Sequence, residues 1–299
     1  MKFQMTAAAL SAALCTVAAS AHDGEKPRVD DHAPIGVMAD HYHKKGEWMA
    51  SARLSLMGMT DPSNTMMGPQ DMDMAMGMLG LMYAPSNKLT LAAGMSYVEK
   101  SMDMLMGGMT MSNKAKGLGD LRLTALIPLA KTENSRVLAG FGVSVPTGDK
   151  ADTNAGGARL PITMQAGAGA WAVMPSLTYS YFGDGWSSGL QGSAKIWLDH
   201  NSFGEQPGDS YQVTSWASLT VATNLSLSAR FAYDRSGEFE GAPVFASDAR
   251  ESLTAYAGAN VYMGTHRFGV EVGQPVAQSR GANALGKSTS FMLGWQKAF

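Results

Sequence analysis

Methionine carries the spacing in this chain that could do chemistry. Sixteen of its 23 methionines fall between Met49 and Met111. They form Met-x-Met strings: Met57/Met59, Met72/Met74/Met76/Met78, Met102/Met104/Met106 and Met109/Met111. In an extended strand, side chains at i and i+2 share a face, so neighbouring thioethers can converge on one ion. Thioether sulfur is neutral and soft and suits Cu(I) or Ag(I) over Zn(II), Mg(II) or Ca(II), with Cu(I) as the candidate cofactor. His32, His41 and His43 add imidazoles, the last two at the same two-residue spacing. The candidate copper ligands are therefore Met57, Met59, Met72, Met74, Met76, Met78, Met102, Met104 and Met106 with those three histidines. Two plainer chemistries compete. Methionine is a flexible apolar filler that makes an adaptable greasy lining for hydrophobic solutes, and exposed methionines absorb oxidants reversibly.

The elements that would position these residues read as strands. With a period of two, Met72 to Ala84 puts Met72, Met74, Met76, Met78, Gly80 and Met82 on one face, and Leu79, Leu81 and Tyr83 on the other. The turn residues Pro85 to Lys88 follow at once. A lipid-facing strand ending in an interfacial aromatic has this form, and the methionine face then points into a barrel lumen. Similar alternation recurs from Trp48 to Phe299 and predicts twelve strands. Five short links (Pro85–Lys88, Lys131–Ser135, Gly183–Trp186, Thr223–Asn224, Gly264–His266) alternate with six longer ones, including Thr60–Asp71, Lys100–Lys116, Thr147–Gly167 and Pro275–Lys287. Short periplasmic turns and long extracellular loops produce that alternation. The expected fold is all-β, a single antiparallel transmembrane barrel over residues 46–299. On its lumen face Arg53, Arg122, Lys195, Arg230, Arg267 and Glu271 form a polar network that tunes or closes a pore.

Residues 1–21 read as a secretory signal: Lys2, an apolar stretch, and an Ala19-Ser20-Ala21 cleavage site. The only cysteine, Cys15, lies within it, so the expected mature chain has no disulfide and no thiolate metal site. Residues 22–45 lack periodicity and read as an irregular periplasmic segment tucked toward the barrel mouth. A net charge of -2 gives no electrostatic case for nucleic acid. No G-x-S-x-G, H-E-x-x-H or P-loop motif occurs, and no enzyme is expected.

Gly117-Leu118-Gly119-Asp120, then Pro146-Thr147-Gly148-Asp149 and Gln165 to Trp171, resemble motifs of the outer-membrane barrels of the meta-pathway phenol-degradation, or transporter, family. The stretch from His32 to Met49 is similar to a methionine-rich branch of it. The resemblance covers about Gly46 to Phe299. It implies an outer-membrane location and, loosely, transport, and supplies no site residues. Phe299 resembles the terminal aromatic read by the barrel-assembly machinery, although Lys297 departs from that signal. The expected partners are outer-membrane lipid, that machinery during biogenesis, and a small solute or metal ion. Copper handling, a passive channel for hydrophobic or aromatic molecules, and a non-transporting structural or surface role all remain open.

Overall fold

A computed structural model describes residues 28–60, 68–242, 248–281 and 284–299. The expected signal segment, His22, and Met66-Met67 lie outside them. The strands are β1 (Trp48–Thr60), β2 (Gly68–Ser86), β3 (Leu89–Met106), β4 (Met109–Leu118), β5 (Leu121–Lys131), β6 (Ser135–Val145) and β7 (Ala172–Phe182), then β8 (Trp186–Trp197), β9 (Ser210–Ala222), β10 (Leu225–Ser236), β11 (Arg250–Met263), β12 (His266–Arg280) and β13 (Gly286–Ala298). Consecutive strands pair antiparallel except β4 and β5, and β1 pairs with both β2 and β13, which closes the ring.

Thirteen strands build a barrel of twelve staves, because β4 and β5 occupy one stave in succession. The upper part of β3, Tyr97 to Met106, pairs with β4, and its lower part, Thr90 to Gly94, pairs with β5. The chain breaks between them at Gly119-Asp120. There the Asp120 carboxylate accepts from the backbone amides of Gly148 and Ala168, both at 2.9 Å. The GLGD and PTGD stretches are thus two sides of one joint.

Alternation decides which face meets lipid. Along β10, Ser226, Ser228, Arg230 and Ala232 are buried, while Leu227, Ala229, Phe231 and Tyr233 are exposed. Leu79, Leu81, Leu123, Phe141, Leu177 and Leu219 face outward in the same way. In water such a surface would drive aggregation; in a bilayer it is the required coat. The five short turns lie at one end with Trp48 and Phe299, whose backbones exchange two hydrogen bonds of 2.8 Å. That end is periplasmic in a barrel of this kind.

Three expectations change. The Lys100–Lys116 link is a strand hairpin, turning at Gly107-Gly108 with φ of 57° and 80°. Paired positive φ is what a two-residue hairpin turn needs, and the two-residue methionine period is itself a strand pattern. Met102, Met104 and Met106 therefore belong to β3. Likewise β12 continues to Arg280 within the Pro275–Lys287 link. The third change concerns residues 28–47: they run inside the barrel, among its lumen-facing side chains.

Candidate functional site

The inserted segment is a U. Its ingoing arm starts at Arg28, which donates to the carbonyl oxygens of Gly183 and Trp186 at 2.7 and 3.3 Å, on the periplasmic turn between β7 and β8. Val29 and Asp30 carbonyls accept from Ser226 and Ser187, at 3.3 and 2.9 Å, and Asp31 pairs with Arg136 at 3.2 Å. The apex is Pro34 to Met38. Ile35, 1 % exposed, packs where Gly269 and Gly294 leave room: a Cβ on either would press into its side chain. Ala33 and Val37 pack on Trp216, which faces inward from β9. On the returning arm, Gln191 donates to the Met38 carbonyl at 2.7 Å and Thr90 accepts from the His43 amide at 3.0 Å. The bend is made by Ala39 at φ 57°, a left-handed conformation uncommon for a residue with a Cβ. It turns Asp40 back so that its Oδ2 accepts from the Ala33 amide at 2.8 Å, tying the two arms together.

The six lumen residues named from sequence all face inward, in two groups. Arg230 and Glu271, 3 % and 2 % exposed, form a bidentate pair at 2.8 and 2.9 Å directly against Gly36, with the Arg230 guanidinium 3.7 Å from the Tyr256 ring. Arg267 donates to the Ala33 carbonyl at 2.6 Å and to Asn260 at 2.9 Å, and also bonds Gln296. These three seat the U. The other three, Arg53, Arg122 and Lys195, line an open cavity of about 540 Å³ above it.

Met38, Asp40 and His41 contribute to the cavity's floor, Met78, Met82 and Met174 to its wall, and Arg250, Leu285 and Lys287 also face it. Arg53 Nη1 donates to Met38 Sδ at 2.8 Å, Arg122 to Met78 Sδ at 3.9 Å and Arg250 to Met59 Sδ at 3.6 Å. The Lys195 ammonium lies 4.1 Å from the Trp197 ring centre. Among the described residues, none of these four cations has a carboxylate within ion-pair distance. Lys287, by contrast, pairs with Asp234 at 3.0 Å.

The methionines divide. Met59, Met72 and Met102 stand opposite one another across β1, β2 and β3. With Met104, Met57, Leu160, Leu285 and Met164 they form an apolar cluster at the extracellular end. Met164 was missed from sequence. It arrives because the Thr147–Gly167 loop folds inward and Lys100 Nζ holds its Thr163 and Gln165 carbonyls at 2.8 and 2.7 Å. Met74 and Met76 are half-buried below the cluster, Met78 reaches the cavity, and Met106 is exposed near the hairpin tip, away from the others. The expected convergence of Met57, Met59, Met72, Met74, Met104 and Met106 is therefore partial.

The histidines converge apart from the methionine cluster. The ring centres of His32 and His41 are 4.0 Å apart, and those of His41 and His43 5.1 Å. His41 Nδ1 bonds Asp40 Oδ1 at 2.8 Å. Burial, helped by neighbouring His41 and Arg267, holds the His32 imidazole well below the ordinary histidine range. Asp40 was the residue missed here, although its place between the histidines was legible in the sequence.

Residues 61–279 match the family described as the MetA-pathway of phenol degradation. The chain belongs to that family. Among solved structures, this member is similar to the COG4313 outer membrane channel from Pseudomonas putida F1, at TM-score 0.64 and 18 % identity, with 86 % of this chain and 97 % of that one covered. It is also similar to the β domain of the Bordetella autotransporter BrkA, at TM-score 0.50 and 12 % identity, covering 85 % and 100 %. At such identities the likeness concerns the fold: a closed twelve-stranded outer-membrane barrel with its leucine-rich face in lipid. No curated protein matches the chain.

Proposed function

We propose that this family member is a gated passive channel for small, mostly apolar solutes that carry a negative charge, aromatic carboxylates being the type. The observation that carries the reading is the cavity: a methionine-lined space faced by Arg53, Arg122, Lys195 and Arg250, three of them resting on thioethers and, among the described residues, none on a carboxylate. Basic pore linings favour anions, and a volume of about 540 Å³ lies within the usual range for small-molecule sites. The U-shaped segment is the gate, since it occupies the periplasmic half of the lumen and its seat is built from separable polar contacts.

Copper handling by the methionine stripe draws less support. The Met38, Met59 and Met78 sulfurs already accept from guanidinium groups, and a fixed cation beside a thioether repels a second one. The buried cluster of Met59, Met72, Met102 and Met164 is otherwise closed by Leu160 and Leu285, as apolar packing requires. No catalytic role is proposed. The terminal strand β13, with Phe299 directly after it, is the segment proposed to engage the barrel-assembly machinery.

The test is liposome swelling with benzoate against benzyl alcohol. Benzoate is expected to enter faster, and Arg122→Gln with Lys195→Gln to cut its rate severalfold while leaving benzyl alcohol unchanged. Benzoate entry no faster than in empty liposomes, both for the native chain and for a chain with its gate displaced, would overturn the reading.

A further inference from the structure

The structure points to a site that the channel reading does not use. We propose that His32, Asp40 and His41 bind one borderline divalent cation, Zn(II) being the type, and that the ion staples together the two arms of the lumen plug. Each residue offers one donor atom, and these atoms lie within 4.8 Å of one another. His32 stands on the ingoing arm, Asp40 and His41 on the returning arm, with the apex between them. In a tetrahedral site with bonds of about 2.0–2.1 Å, donors stand roughly 3.4 Å apart, so modest side-chain rotation closes the set around an ion.

Two observations besides proximity favour a ligand. Among the described residues, His32 Nδ1 and His41 Nε2 are buried nitrogens with no hydrogen-bond partner. A buried polar atom left unsatisfied is costly and uncommon, and two such atoms on touching rings are better explained by something that both can bind. The second observation is how the rings are held. Asp40 Oδ1 accepts from His41 Nδ1 at 2.8 Å, which leaves the His41 Nε2 lone pair free. Its Oδ2 lies 3.9 Å from His32 Nδ1, so the one carboxylate faces both imidazoles and can move from His41 Nδ1 to an ion held between the rings. Asp40 also neutralises part of an incoming charge, offsetting the Arg267 guanidinium that lies near the Ala33 carbonyl.

The donor set selects the ion. Two imidazoles and a carboxylate suit Zn(II), Cu(II) or Ni(II); Mg(II) and Ca(II) prefer all-oxygen shells, and Cu(I) prefers the thioethers that are missing from this cluster. Asp40 and His41 line the cavity floor, so an ion can arrive through the lumen. The inference does not rest on which solute crosses the channel: binding is read without any flux.

The experiment uses the metal-depleted full chain, folded in detergent and verified by heat-modifiable migration. Zn(II) is titrated against a chromophoric zinc indicator, and Co(II) is followed by its visible d–d absorption. One equivalent is expected to bind, with His32→Gln and Asp40→Asn each weakening affinity at least tenfold and a control, His200→Gln at an exposed histidine that pairs with Glu240, leaving it unchanged. Co(II) is expected to give a tetrahedral band that one equivalent of Zn(II) abolishes. Absence of stoichiometric binding, affinity unaltered in both variants, or affinity lost in His200→Gln would overturn the proposal. Where a variant barrel fails to fold, the native chain's Co(II) spectrum decides: no band, no site.

Discussion

Gly36→Ala is expected to unseat the plug. A Cβ at position 36 would overlap Glu271 Oε2 and Arg230 Nη2, both held in the bidentate pair against it. The clash has two ways out. Parting the ion pair leaves buried charges uncompensated, at about 3–5 kcal/mol. Lifting the apex instead withdraws Ile35 from its niche, about 1.5–3 kcal/mol for a fully buried aliphatic side chain, and breaks the Arg267 bond to the Ala33 carbonyl, about 1.5–3 kcal/mol for a charged donor. Against these losses, each released residue regains about 1–2 kcal/mol of backbone freedom. Lifting is the cheaper response, and it shifts the balance between seated and unseated plug by about 2–3 kcal/mol, roughly 30- to 150-fold. Planar-bilayer recording is the assay, because barrel stability and plug seating separate there. The variant is expected to migrate as a folded barrel on unboiled gels and to show frequent large openings where the native chain shows few. Identical conductance traces from two equally folded barrels would refute the reasoning, since they would mean that the pair yields or that the plug does not gate.

Two further outcomes follow from the same interior. Glu271→Ala strands the Arg230 guanidinium, 3 % exposed, and is expected to lower stability by about 3–5 kcal/mol, read as a fall in the urea midpoint of heat-modifiable migration; an unshifted midpoint would show the pair to be dispensable. Met59, Met72 and Met102 changed together to Leu are expected to cost under about 1.5 kcal/mol each, as volume-conserving apolar swaps do, and to leave competition with a Cu(I) chelator unchanged; a lost Cu(I) site would restore copper handling as the leading function.

The period-two pattern by itself determined the barrel. Hydrophobic alternation in a strand has one physical outcome when the apolar set is on the outside of a closed sheet, so Leu79, Leu81, Leu227 and Phe231 could be assigned to lipid, and Arg53, Arg122, Lys195, Arg230, Arg267 and Glu271 to the lumen, from spacing alone. Twelve staves and five short turns were legible for the same reason. The function of each lumen residue was not. Whether an inward arginine seats a plug, as Arg267 does, or faces a cavity, as Arg122 does, depends on what occupies the space in front of it, and that is set by residues far away in the chain. The aperiodic stretch from Arg28 to Glu47 carried no signal of its path, because an irregular segment takes its conformation from its surroundings: Ser187, Gln191, Ser226 and Arg267 supply the hydrogen bonds that its own backbone does not make. The same holds for the clusters. Only closure of the barrel sets Met59 opposite Met72 and Met102, only the inward Thr147–Gly167 loop adds Met164, and only the left-handed turn at Ala39 brings Asp40 and His41 back to His32.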